Sequence, residues 1–345
     1  MKGEHECILF IDHSFHQHSK SSDFFFNALS ESRRVVRYWD GFWQGDPAVS
    51  YEDVQHENAT IAVFWQSYPT IEFLWKFEGS IIVVPMFDDP VSKDVLLALV
   101  GHRATAICFS EAVECIYRRA GIDVLPIRYA PEPDEGQPLD GPINIFFWER
   151  GAVRWEDVKT LVGDQEIGKI YLKQTPDPGR TSSEISDDDR EHFDLEIITD
   201  WIDKDTYEEL LRKCHVYIAP RIWEGIGMSF LEAMGHGMAV IGADQPTMNE
   251  YIVHGQDGYL FEWPIQSSVD LSDTRELGDN AREKIRRMRR SYERRIEIVI
   301  DAVLKSTPRR KRRITILVAF SYRRILQFKT KLGTFRRSVR SWLRI

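Results

Sequence analysis

Short apolar runs recur along this chain at Cys7 to Ile11, Val35 to Tyr38, Ile61 to Trp65, Ile81 to Pro85, Ala106 to Phe109 and Val124 to Ile127. Polar turns bound them, and helical patterns such as Val95 to Val100 and Ala112 to Ala120 stand between several of them. Because successive residues are apolar, rather than alternate ones, each strand needs cover on both faces. Strands alternating with helices give that as a parallel sheet with helices on either side. The alternation resumes at Ile143 to Trp148, Lys169 to Leu172, Leu195 to Ile198 and Val216 to Ala219. Between the two series lies Tyr129 to Pro138, rich in proline and acidic residues, which reads as an interdomain linker. A length of 345 residues with 43% hydrophobic content suits two ordinary globular cores.

Ligands of such sheets bind beyond the C-terminal ends of the strands, so the loops there carry the functional information. The most informative follows Val216 to Ala219. It runs through Glu224, Gly225, Ile226 and Gly227 into a helical pattern containing Met228, Ser229 and Glu232. The first amides of a helix lack internal partners and sit at the positive end of its dipole, which makes this a phosphate-binding unit. Gly225 and Gly227 let the backbone approach a diphosphate where a side chain would block it. Glu224 is then placed for hydroxyls at the reacting end of a sugar diphosphate, and Glu232 for both hydroxyls of a ribose. The plainer alternative is capping, since Ser229-x-x-Glu232 and Thr247-x-x-Glu250 both fit a capping box. Capping accounts for neither the glycines nor Glu224.

Glu-x7-Glu followed by Ala233-Met234-Gly235-His236-Gly237, then Val240-Ile241-Gly242, Asn249-Glu250-Tyr251-Ile252 and Gly255-Gln256-Asp257-Gly258-Tyr259-Leu260, resembles the signature of family 4 (group 1) retaining glycosyltransferases. The resemblance implies a GT-B fold of the α/β class: two Rossmann-like domains whose parallel sheets face each other across a cleft, here with a basic C-terminal helical tail. It divides the chain into an acceptor domain over 1–130, a linker over 131–141 and a nucleotide-sugar domain over 142–280. A closing helix over 281–305 and the tail over 306–345 follow. It implies a nucleotide-diphosphate sugar as donor substrate, with no cofactor and no metal, since helix dipole and cationic side chains stabilise the leaving diphosphate. Glu232 is expected on the ribose, and Glu224 and Glu250 near the sugar.

Arg150 and Arg154 follow the strand Ile143 to Trp148 and resemble the arginine and downstream basic residue that the family aims at the diphosphate. A lysine and a glycine are usual where this chain has Arg154 and Trp155. A surface salt bridge is the alternative for Arg154. Lys173 adds charge at a strand end, and Trp201 stands where similar enzymes cradle the base, with a core role as the alternative. In the first half, His16, His18, Ser19, Lys20 and Ser21 form a loop suited to a phosphate or sugar hydroxyls, or else a polar surface loop. Many family 4 enzymes place a histidine near Asp88 and Asp89, and this chain has none there. Either an aspartate serves, or His16 or His18 does; a turn and helix cap is the other reading of the aspartates. The acidic segment Ser182 to Asp189 reads as a solvated turn and not as a metal site.

The net charge of −9 conceals a division. From Arg282 onward 22 Lys and Arg stand against four Asp and Glu, which leaves 23 basic and 50 acidic residues before it. The tail, with Arg309-Arg310-Lys311-Arg312-Arg313 beside the apolar strip Ile314 to Phe320, suits an anionic membrane surface. Nucleic acid is the rival partner, disfavoured by the acidic body; a solvated tail is the plain alternative. Scattered Cys7, Cys108, Cys115 and Cys214 read as reduced, buried thiols, and neither a secretory segment nor a membrane span is legible. The expectation is a transferase of the cytoplasm, peripheral at the inner face of the membrane, acting on a glycan or lipid-linked acceptor. A sugar-nucleotide epimerase or hydrolase on the same fold, or a membrane-docked binding scaffold, are the alternatives.

Overall fold

A computed structural model describes residues 6–88, 103–136 and 140–309. Its first sheet is built from β1 (Cys7–His13), β2 (Val35–Asp40), β3 (Ala59–Trp65), β4 (Ser80–Val84), β5 (Ala104–Cys108) and β6 (Val124–Pro126), ordered β2-β1-β3-β4-β5-β6. The second is built from β7 (Ile145–Trp148), β8 (Lys169–Lys173), β9 (Asp194–Ile198), β10 (Val216–Ile218), β11 (Ala239–Ala243) and β12 (Gly258–Phe261). Its order, β9-β8-β7-β10-β11-β12, is that of a dinucleotide-binding sheet, with the switch point between β7 and β10. Every neighbouring pair in both sheets is parallel. The central strands bury both faces, as their unbroken apolar runs require.

Helices in the first half are α1 (His16–Ser19), α2 (Asp23–Ser30), α3 (Tyr51–Val54), α4 (Ile71–Lys76) and α5 (Glu111–Arg119). The second half contributes α6 (Trp155–Val162), α7 (Asp187–His192), α8 (Lys204–Leu211), α9 (Met228–Gly235), α10 (Met248–Tyr251) and α11 (Thr274–Leu304). The helical pattern at Val95 to Val100 and the tail from residue 310 lie outside the described residues. Within the segment read as an acidic turn, Asp187 to Asp189 instead open α7. Ser186 caps it, and Asp189 closes the capping box while accepting from Lys159 at 2.9 Å. Short-range capping outweighs the repulsion of three adjacent carboxylates.

α11 begins at Thr274, six residues before the pattern expected from Asn280, and it ties the second half to the first. Arg289 donates to the Ala130 carbonyl at 3.2 Å and Arg295 to that of Pro126 at 2.7 Å. Tyr292 meets Tyr129 edge-on at 5.4 Å and reaches Phe24 at 6.5 Å, so the helix completes an aromatic cluster of the first sheet. Cys7, Cys108 and Cys214 are buried free thiols, as read; Cys115, on α5, is exposed. Among the described residues no helix is long and apolar enough to cross a membrane.

Candidate active site

At the switch point of the second sheet, β10 gives way to the glycine loop. Gly227 precedes α9 at φ +78°, a left-handed conformation, and a Cβ there would lie 1.9 Å from the Phe230 ring. A Cβ on Gly225 would lie 2.8 Å from an Asp88 carboxylate oxygen and 3.1 Å from Met86 Cβ. The bare backbone at Gly225 is therefore what lets the loop after β4 come across from the first sheet. Thr247, buried, donates its hydroxyl to the carbonyls of Glu224 (2.5 Å) and Gly225 (2.8 Å), while the Glu224 amide donates to Pro246 O at 3.2 Å. The loop is clamped from behind, and the Glu224 side chain is buried. That burial raises the Glu224 pKa, opposed by Arg221 and Arg150 and reinforced by Asp88 and Asp177.

Two arginines converge on one carboxylate. Arg150 donates from Nε (2.9 Å) and Nη2 (2.7 Å) to Asp177 Oδ1, and Arg221 donates from Nη2 to Asp177 Oδ2 at 2.6 Å. Arg221 also reaches Asp88 Oδ2 at 3.2 Å and lies 3.8 Å from Glu224 Oε2. Burial alone would raise the Asp177 pKa, but the two guanidinium groups prevail and hold it below the usual range. Burial would lower that of Arg221, yet Glu224, Asp177 and Asp88 together push it up. Arg154 turns away: its amide bonds Asp157, and its guanidinium serves the Thr181 carbonyl and buried Glu149. Lys173 is buried beneath Trp148, its Nζ 3.9 Å from that ring and 5.0 Å from Trp201, and it donates to Thr175. Burial, then Arg150, lowers its pKa to about 8. Trp201 is 63% exposed and meets Trp148 edge-on, so it is no core residue. On α9, burial lifts Glu232 to about 7.

Glu250 is engaged with a helix of the first half. Its carboxylate accepts from the amides of Glu111 (2.5 Å) and Ala112 (2.9 Å), the first turn of α5 in the other half, with Arg128 at 3.9 Å. It caps a helix, but not its own, because α10 is one turn long and its N-cap residue Thr247 is engaged with the Glu224 loop.

From the first sheet, fully buried Asp12 at the end of β1 holds His16, with Nδ1 at 2.6 Å, and accepts from Ser22 Oγ at 2.6 Å. A carboxylate accepts, so Nδ1 is the donor of this pair and Nε2 points away from Asp12. Asp88 stands where Arg221, Arg150 and His16 all act on it; burial nonetheless raises its pKa. His13 stacks on Trp43 at 5.1 Å and lies 5.6 Å from His16, and burial, with His16, depresses it to about 4. Of the loop expected to bind phosphate or hydroxyls, His16 opens α1 and is buried, whereas His18, Ser19 and Lys20 are exposed and Ser21 half-buried.

The family model described as Glycosyl transferases group 1 matches residues 196–292, which contain the glycine loop, Glu224 and Glu232. Within the chain, 61 residues are 43% identical to the UDP-N-acetylglucosamine–peptide N-acetylglucosaminyltransferase GtfA subunit of Limosilactobacillus reuteri subsp. suis, a stretch that is 17% of this chain and 11% of that protein. The fold is similar to that of the sucrose-phosphate synthase of Thermosynechococcus elongatus, with a TM-score of 0.63 and 13% identity over 87% of this chain and 100% of that one. It is similar also to Anabaena HepE in complex with UDP, with a TM-score of 0.60 and 13% identity over 85% of this chain and 99% of that one. The architecture is GT-B.

Three residues join the site that the motif reading had not singled out. Asp12 carried a signal, an acid interrupting an apolar strand at its C-terminal end. Arg221 stood inside the motif run, three residues before Glu224. Asp177 had none, since it lies in a loop whose path after β8 only the fold reveals. The assembled cluster of Arg150, Arg221, Asp88, Asp177 and Glu224 joins loops from both sheets, on the chain segment that leads into α9. It suits an anion that brings a polyhydroxylated group with it.

Proposed function

We propose that this protein is a retaining glycosyltransferase of family 4, moving a sugar from a nucleotide-diphosphate sugar to a glycan or lipid-linked acceptor. The observation that supports the reading best is the meeting of Asp88, from the first sheet, with Arg221, Glu224 and Gly225 from the second, as expected where an acceptor half faces a donor half. In this account the amides at the start of α9 take the diphosphate together with Arg150, and Glu232 takes the ribose hydroxyls. Glu224 faces the sugar, Trp201 offers an exposed ring to the base, and Lys173 adds charge behind Trp148. The acceptor enters from the first half, near Asp88 and His16. Nε2 of His16 is the free nitrogen there, turned by Asp12. The departing phosphate helps to deprotonate the acceptor on the face it leaves, so the anomeric configuration is kept.

UDP is the first nucleotide to try, because HepE is described in complex with UDP and the GtfA relative is named for UDP-N-acetylglucosamine. The domain division given above is part of this proposal. So is docking of the basic tail on the inner, anionic face of the membrane, in synthesis of a bacterial-type surface polysaccharide or glycoconjugate.

Thermal unfolding with UDP, GDP, dTDP and ADP tests the donor site. A hundredfold excess over Kd stabilises by about 2.7 kcal/mol. One nucleotide family is expected to raise Tm, and Glu232→Ala to abolish the rise. No shift with any of the four overturns the reading. Release of free or epimerised sugar without an acceptor marks the hydrolase or epimerase instead.

A further inference from the structure

The family that the C-terminal half resembles sets a lysine downstream of its diphosphate-binding arginine, and the basic residue nearest that place, Arg154, is spent on Glu149, Thr181 and Asp157. A second cation nevertheless stands beside Arg150, delivered by a different strand. Arg221 comes from the loop after β10, and Asp177, from the loop after β8, grips both guanidinium groups through one carboxylate.

We infer that Arg221 is the second diphosphate-binding cation of this protein, in the role of the missing lysine, and that Asp177 is the positioning residue that turns Arg150 and Arg221 toward the same anion. The inference rests on the donor site proposed above. Three features support it. Arg150 gives Asp177 its Nε and Nη2, and Arg221 gives Nη2 to Asp177 and Nη1 to Asp88, so each fork keeps an edge for phosphate oxygens. The side chains of Arg221 and Asp177 are each 26% exposed, open enough to meet a ligand and buried enough for a charge to count. The Asp177 amide also donates to the Arg150 carbonyl at 3.1 Å, which fixes the carboxylate relative to the arginine it orients. The cluster holds two cations and three carboxylic groups. An arriving diphosphate therefore needs both cations, because Asp88 and Glu224 also draw on Arg221.

Calorimetric titration compares the nucleoside diphosphate that stabilises the wild type best with its own nucleoside, which lacks phosphate but carries base and ribose. Arg221→Gln is expected to weaken the diphosphate by about tenfold or more and the nucleoside by less than twofold. Arg221→Lys, keeping the charge but losing the fork, is expected to fall between. Asp177→Asn is expected to weaken the diphosphate several-fold and leave the nucleoside alone; tighter diphosphate binding would make Asp177 a competitor and overturn its positioning role. Should Arg221→Gln not fold, the double variant with Asp177→Asn removes the charges as a pair, and the same selective loss is expected. Unchanged diphosphate binding in these Arg221 variants, or an equal or larger loss in Arg154→Gln, overturns the inference while leaving the donor site standing. A wild type that binds no nucleotide removes both.

Discussion

The pKa of Glu232 is raised from an ordinary glutamate's 4.5 to about 7 in the folded protein, because its half-buried carboxyl on α9 loses solvent. The folded state therefore holds the proton more tightly. Below about pH 4.5 both states are protonated and there is no penalty. Between 4.5 and 7 the unfolded chain ionises first, so stability falls as pH rises, and above 7 the penalty is complete. Glu232→Gln removes this contribution: the variant should gain Tm over the wild type as pH rises from 4.5 to 7, and hold the gain above it. Nucleotide affinity should run the other way, rising with pH through about 7 in the wild type and flattening in the variant, since ribose hydroxyls donate best to the carboxylate. Melting curves and titrations across that window check both. Glu224 and Glu232 were legible as a pair from their spacing around two glycines. Their raised pKa values were not, because they depend on burial in the folded chain and, for Glu224, on groups as distant in sequence as Asp88, Arg150 and Asp177.

At the scale of elements, the β10 to α9 turn has its shape from one residue that only glycine fills well. Gly227→Ala places a methyl group against the Phe230 ring and forces a β-carbon into the left-handed region. The second effect alone costs roughly 1–2 kcal/mol, so a loss of about 2 kcal/mol or more is expected in denaturant unfolding. Elements were the most readable level of the sequence, because the strand runs are apolar on consecutive residues and every one of them became a strand. The less readable parts were short and locally capped. α7 formed inside an acidic segment because Ser186 and Asp189 satisfy its first turn, and α1 formed inside a loop because Asp12 fixes His16 from the strand before it.

For the whole molecule, the two halves meet through side chains whose partners lie far apart in sequence. Glu250 supplies two hydrogen bonds to the first turn of α5, and Thr247, three residues earlier, holds the carbonyls of the Glu224 loop. One short segment thus links the Glu224 loop to a helix of the first half. Glu250→Ala is expected to cost about 0.5–2 kcal/mol, the worth of a helix cap whose amides water can partly satisfy. It should also speed hydrogen exchange at Glu111 and Ala112 while leaving the amides of β10 protected; unchanged exchange at those two residues would refute the link. The spacing Thr247-x-x-Glu250 announced a cap, and no spacing announces which helix is capped.

The same contacts give the chain a history during synthesis. The first sheet is complete in sequence by Pro126, but the aromatic face at Phe24 and Tyr129 waits for Tyr292, and the first turn of α5 waits for Glu250. At roughly 5–20 residues per second on the ribosome, that interval is on the order of ten seconds. For that time the face at Phe24 and Tyr129 lacks its Tyr292 cover, and chains arrested before Tyr292 are expected to bind a chaperone more than chains arrested after it.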